Sequence, residues 1–126
     1  MEEKTNLFMT NTTMPSGVKI TDRVTGRGAC AGPKAEVTAH VRIFLNQGEE
    51  VFAAHSEQEH IIHLGKRHTI AGLRKGIEGM CVGGVRDIEI SSHLAYGEKG
   101  VPGIIPPDAM LRCEVRLLKV RELAEV

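Results

Sequence analysis

The chain has 126 residues, 41% of them apolar and 25% charged, which suits one packed core and a solvated surface and is too short for a second full domain. Sixteen Lys plus Arg balance sixteen Asp plus Glu, so no basic excess exists to grip a phosphate backbone, and nucleic acid is not an expected partner. No apolar run approaches the ~20 residues that cross a bilayer as a helix, so a membrane partner is not expected either.

Met1 to Met9 reads MEEKTNLFM, with two acids and neither the basic flank nor the apolar stretch of a secretory signal. Three cysteines, Cys30, Cys81 and Cys113, are odd in number and scattered, a usage that suits reduced thiols rather than a disulfide framework. Together these features lead us to expect a cytoplasmic protein, and a monomer is the expected state. Aromatic residues are scarce. Only Phe8, Phe44, Phe52 and Tyr96 are present and Trp is absent, so any pocket must be walled mainly by aliphatic side chains and methionine.

Residues 1–16 have no helical or strand periodicity and read as a flexible arm, leaving 17–126 as the folded domain. Val18 and Ile20 open a strand over Gly17 to Val24, and Gly26, Gly28, Gly32 and Pro33 mark a loop after it. Glu36 to Leu45 gives the clearest alternation. Val37, Ala39, Val41, Ile43 and Leu45 share one side, opposite Thr38, His40, Arg42 and Phe44, as in a core strand. Asn46-Gln47-Gly48 supplies turn chemistry for a hairpin returning through Glu50 to Ala53, and Glu59 to Leu64 is a short further strand.

Over Thr69 to Met80, Ile70, Leu73 and Ile77 fall at helical spacing with Thr69 as the expected cap. Glycines at 72, 76 and 79 each cost about 1 kcal/mol relative to alanine in a helix, so this helix is expected to survive by packing on a sheet. Val85 to Ser91 alternates again, with Ile88 and Ile90 inward and Asp87 and Glu89 outward. Gly97 to Pro107 holds too many glycines and prolines for regular structure, yet Val101, Ile104 and Ile105 make it apolar. Met110 to Val120 closes the sheet, with Leu111, Cys113, Val115 and Leu117 on one face and Arg112, Glu114 and Arg116 on a solvated one. The pattern is α+β: a mostly antiparallel sheet of five or six strands with one short helix on one face.

Four histidines, His55, His60, His63 and His68, fall close together and raise a metal site as an alternative. His60 and His63 are three apart on a strand and so face opposite sides, and no cysteine pair or HExxH pattern fixes a geometry. A metal is therefore not expected.

Leu94-Ala95-Tyr96-Gly97, Gly100-Val101-Pro102-Gly103-Ile104-Ile105-Pro106-Pro107-Asp108-Ala109 and the strand from Leu111 closely resemble the FKBP-type peptidyl-prolyl isomerases. The resemblance runs back through Leu64-Gly65-Lys66, the Ile70 helix with Gly72 and Gly76, Met80 and Val82-Gly83, and covers roughly Gly17 to Leu118. It implies a curved antiparallel sheet wrapped around one helix, with a proline site between them, acting on proline-containing peptides or protein clients without a cofactor.

Rotating an X-Pro bond crosses a barrier of about 20 kcal/mol set by amide resonance, and no bond is broken. A site helps by stripping water from the amide, gripping the proline ring and hydrogen-bonding selectively to the twisted form. The resemblance places Phe52, Ile70, Tyr96 and Ile105 at pocket positions, with the Tyr96 hydroxyl and the Ile70 backbone N–H as donors to a ligand carbonyl. It also implies departures: Val41 where the family usually has Tyr, Leu73 for Trp on the helix, Cys113 for Phe, Ala53 for Asp and His60 for Phe. The expected cleft is wider and less aromatic, its isomerase activity weakened unless Phe44, Met80 or Met110 repack into the gap. An inert peptide-binding module is the alternative that these losses suggest.

Overall fold

In a computed structural model of the protein, the described residues are 11–14, 17–45, 48, 50–53, 59–67 and 69–122. Seven strands form one antiparallel sheet: β1 (Asn11–Met14), β2 (Val18–Val24), β3 (Glu36–Leu45), β4 (Glu50–Ala53), β5 (His60–His63), β6 (Val85–Ile90) and β7 (Leu111–Arg121). Among the described residues one α-helix, α1 (Ala71–Ile77), lies between β5 and β6, and one turn of 3-10 helix spans Ser92–Leu94. The strand order is β1-β2-β6-β7-β3-β4. One edge of β3 pairs with β7 along its length, and the other pairs with β5 over Glu36 to Ala39 and with β4 over Arg42 to Phe44.

The alternation in β3 is realised residue by residue. Val37, Ala39, Val41 and Ile43 are buried while their neighbours are half-exposed, as the period of two requires of a strand with one covered face. Val115 and Leu117 of β7 and Ile88 and Ile90 of β6 complete the same apolar layer. The sheet has one strand more than the upper expectation. Asn11–Met14, assigned from sequence to a flexible arm, is an edge strand paired with β2, Met14 opposite Val18 and Asn11 opposite Thr21. Its polar sequence hid it, because backbone pairing at a sheet edge needs no buried face, and Thr12 and Thr13 are β-branched.

The helix is shorter than its periodicity suggested, and Ile70 rather than Thr69 occupies its cap position, with no side-chain capping bond. Leu73 and Ile77 are buried toward the sheet as expected. Gly72 and Gly76 face β6: a Cβ at Gly72 would run into Ile90, and one at Gly76 into Ile88. The glycines that weaken the helix in isolation are what let its backbone lie close on the sheet.

Two features were not legible in the sequence. Arg86, on the inward face of β6, is 9% exposed and makes a bidentate pair with Asp22 of β2, at 2.7 and 3.2 Å. Its other nitrogen donates to the carbonyls of Gly76 (2.7 Å) and Glu78 (3.2 Å), so a cation closes the C-terminus of α1, where carbonyls lack helical partners. The second concerns the cysteines. Cys30 and Cys81 are joined as a disulfide, correcting the expectation of three reduced thiols. The cause is long-range: the segment before β3 runs beside the segment after α1, with Ala31 N–H donating to Met80 O at 2.8 Å and Val82 N–H to Ala29 O at 2.9 Å. Cys113 is the remaining thiol, fully buried, and burial pushes its pKa up to about 12.

Candidate functional site

A cleft of about 570 Å³ opens between α1, the concave face of the sheet and the loop after the 3-10 turn. That size suits a few residues of peptide or a small ligand. Its aliphatic walls come from Val41 and Ile43 of β3, Val51 of β4, Ile62 of β5, Leu73 of α1, and Val101, Ile104 and Ile105 of the loop. Alternation in β3 and β5 aims the first group inward, and the helix period places Leu73 on the floor at 3% exposure. Among the described residues the polar lining is His60, Arg67, Thr69 and Tyr96.

The loop owes its shape to a small antiparallel bridge. Val101 and Ile105 exchange backbone hydrogen bonds of 2.8 Å, which turns Ile105 inward at 8% exposure and leaves Ile104 at 53%. Upstream, Gly97 N–H donates to Ser92 O at 2.8 Å and Gly100 N–H to Tyr96 O at 3.0 Å, so Tyr96 sits within a hydrogen-bonded turn. Gly100 has φ +60, and a Cβ there would meet the backbone of Ile105 and Pro106. The apolar loop is thus a folded rim.

Two donors on this rim are unspent among the described residues. The Tyr96 hydroxyl takes part in no hydrogen bond, and partial burial, followed by the influence of Cys113, raises its pKa, so the phenol stays protonated and able to donate. The Ile70 N–H lies at the start of α1, where the first amides have no helical acceptor, and no described backbone carbonyl or side chain receives it. Arg74 Nε donates to Thr69 O at 3.0 Å, which ties the helix to the turn that presents this amide.

Of the residues expected from sequence, Tyr96, Ile70, Leu73, Val41, Ile105 and His60 all line this cleft. Phe52 lies in β4 opposite Ile43, and its side chain falls outside the described residues, as does that of Ala53. A register shift in the β3–β4 pairing leaves Val51 lining the cleft. Cys113 is set apart, fully buried in β7 opposite Ile43 and absent from the lining, so it packs under the site and offers no surface to a ligand. No repacking into the cleft by Phe44, Met80 or Met110 takes place. Phe44 is on the outer face between the guanidiniums of Arg42 and Arg112, Met80 is buried elsewhere in the core, and Met110 is exposed. Ile43 and Ile62 shared the inward alternation and were findable by it, whereas Arg67 and Thr69 lie in a turn without periodicity. His60 lines the cleft while His63 faces Glu36 at 4.0 Å, the opposed arrangement expected of residues three apart on a strand.

An aliphatic cleft with a phenol and a free helix-start amide at its rim defines a site for an extended peptide carbonyl beside an apolar ring. Residues 28–118 match the domain described as FKBP-type peptidyl-prolyl cis-trans isomerase. A Saccharomyces cerevisiae protein, peptidyl-prolyl cis-trans isomerase FPR2, is 42% identical over 75% of this chain and 71% of its own length. An FK506-binding protein of Neisseria meningitidis serogroup B is 37% identical over 84% of this chain and 98% of its own. Other similar proteins are much longer: the chain spans about a fifth of an FK506-binding protein 4 from Emericella nidulans. Among solved structures, AtFKBP13 superposes with a TM-score of 0.78 at 26% identity, over 86% of this chain and 97% of that one. The chain belongs to the FKBP-type peptidyl-prolyl cis-trans isomerase family.

Proposed function

We propose that this cleft rotates X-Pro bonds of proline-containing peptides and protein segments, weakly for its family and as a single copy. Leu73 forms the floor under the proline ring, with Val41 and Ile105 around it. The Ile70 N–H and the Tyr96 hydroxyl orient the carbonyl and its twisted form. Neither residue transfers a proton or forms a bond, because the reaction needs only that the planar amide lose more stabilisation on binding than the twisted one. A cytoplasmic setting stays part of this proposal, and there the Cys30–Cys81 disulfide would be open to reduction.

The observation that carries this reading is the pair of donors without a partner among the described residues, set over an aliphatic hollow. Two hydrogen bonds strengthened at the transition state contribute about 1 to 3 kcal/mol in total, roughly a 5- to 150-fold rate effect. A millionfold acceleration requires about 8 kcal/mol, and the remainder must come from desolvation and ring contact. The aliphatic walls provide less ring contact than an aromatic floor, hence the expected weakness. Cis–trans isomerisation measured over a panel of X-Pro peptides tests the proposal. Acceleration of at least one peptide by catalytic amounts of protein is expected, and spontaneous rates for every peptide reject it in favour of an inert binder.

A further inference from the structure

The described lining of the cleft carries charge of one sign. Among its described lining residues there is no Asp or Glu, while Arg67 brings a permanent cation. Arg67 is exposed and has no ion-pair or hydrogen-bond partner among the described residues, unlike Arg23, Arg42, Arg86 and Arg121, each of which faces a carboxylate. Glu59, Glu98 and Asp108, acids of the segments that form the cleft or adjoin them, do not line it. A guanidinium held where no described lining residue is an acid favours a carboxylate arriving with the ligand.

Position makes that cation selective for substrate. Arg67 precedes Ile70 by three residues in the same turn, and three residues span at most about 10 Å. If the Ile70 N–H takes a carbonyl beside the proline, the guanidinium lies within a side chain's reach of the residues flanking that proline. From this we infer that Arg67 is a specificity residue: the isomerase acts preferentially on prolines flanked within two positions by an acidic side chain, and disfavours lysine there. The inference rests on the proposed isomerase reading of the cleft and adds the class of substrate sequence.

Because Arg67 is solvent-exposed, its pairing is worth little in absolute terms, and screened ion pairs of this kind change rates by about two- to five-fold. The test compares kcat/KM for three peptides identical except for Glu, Leu or Lys next to proline, at low and high salt, with the acidic position also moved to the far side of the proline. The Glu-to-Lys ratio within each protein is the readout, which makes it independent of overall activity or folded fraction. For the wild type a ratio of about three or more is expected, falling toward one at 0.5 M salt, where screening is strong. Arg67→Ala should bring the ratio near one and Arg67→Glu should invert it. A ratio of one in the wild type at both positions, or one that Arg67→Glu leaves unchanged, overturns the inference. Acceleration of any of the peptides by the wild type keeps the two questions apart: spontaneous rates for all of them reject the isomerase reading, whereas acceleration with a flat Glu-to-Lys ratio rejects only the role of Arg67.

Discussion

Replacing Tyr96 with phenylalanine removes one oxygen from the rim of the cleft and little else. The ring keeps its packing, and the lost hydroxyl has no partner among the described residues, so no buried group is orphaned. At 38% exposure the side chain is not a core element, and stability should stay within about 0.5 kcal/mol of the wild type. The effect on turnover follows from a single hydrogen bond of about 0.5 to 1.5 kcal/mol net. That corresponds to a loss in kcat/KM of roughly 2- to 12-fold. If the bond strengthens as the imide twists, kcat carries the loss; if it is equally strong to planar and twisted forms, KM rises alone. Exchange between cis and trans peptide, followed by NMR beside a denaturant melt of the same sample, reads both quantities. An unchanged kcat/KM with an unchanged melt refutes the donor role, and a loss of stability of 2 kcal/mol or more shows that the hydroxyl was structural.

Leu73→Trp should raise turnover and macrolide affinity together, since it restores an aromatic floor under the ring; wild-type protein should bind rapamycin poorly by calorimetry, and nanomolar affinity would contradict the account of the floor. Arg86→Ala strips the partner from Asp22 and from two helix-end carbonyls at once. Breaking a buried pair of this kind costs about 3 to 5 kcal/mol, readable as a shift in the urea midpoint, and a change below 1 kcal/mol would mean that water replaces the guanidinium. Cys113 sets the alkaline behaviour: its folded pKa of about 12 lies above the unfolded value, so the unfolded chain loses its proton first and stability falls as pH climbs above about 9. A Cys113→Ala variant should show a flatter alkaline limb, and an identical slope would refute that assignment.

The order of strands from Gly17 onward was readable because their inward faces alternate strictly, as at Val37, Ala39, Val41 and Ile43. The rim of the cleft was readable through resemblance rather than physics, since Tyr96 and Ile105 stand in a loop with no periodicity. What could not be read depends on contacts between distant segments. Arg86 looks like any charged residue of an alternating strand until Asp22 and the end of α1 are set beside it. Cys30 and Cys81 lie 51 residues apart, and only the pairing of their two segments makes them neighbours. Asn11–Met14 has no apolar face to betray it as a strand. Val51 entered the cleft through a register shift that no local pattern encodes.

The amide of Ile70 tests the site most directly, because it is a backbone donor that no substitution except proline removes. Titrating isotope-labelled protein with an X-Pro peptide that it isomerises should move the Ile70 amide proton downfield, as a new acceptor engages it, with accompanying shifts at Leu73, Tyr96 and Ile105. Catalysis that continues while the Ile70 amide stays unperturbed, or shifts clustered on the outer face around Arg42 and Glu114, would contradict the account.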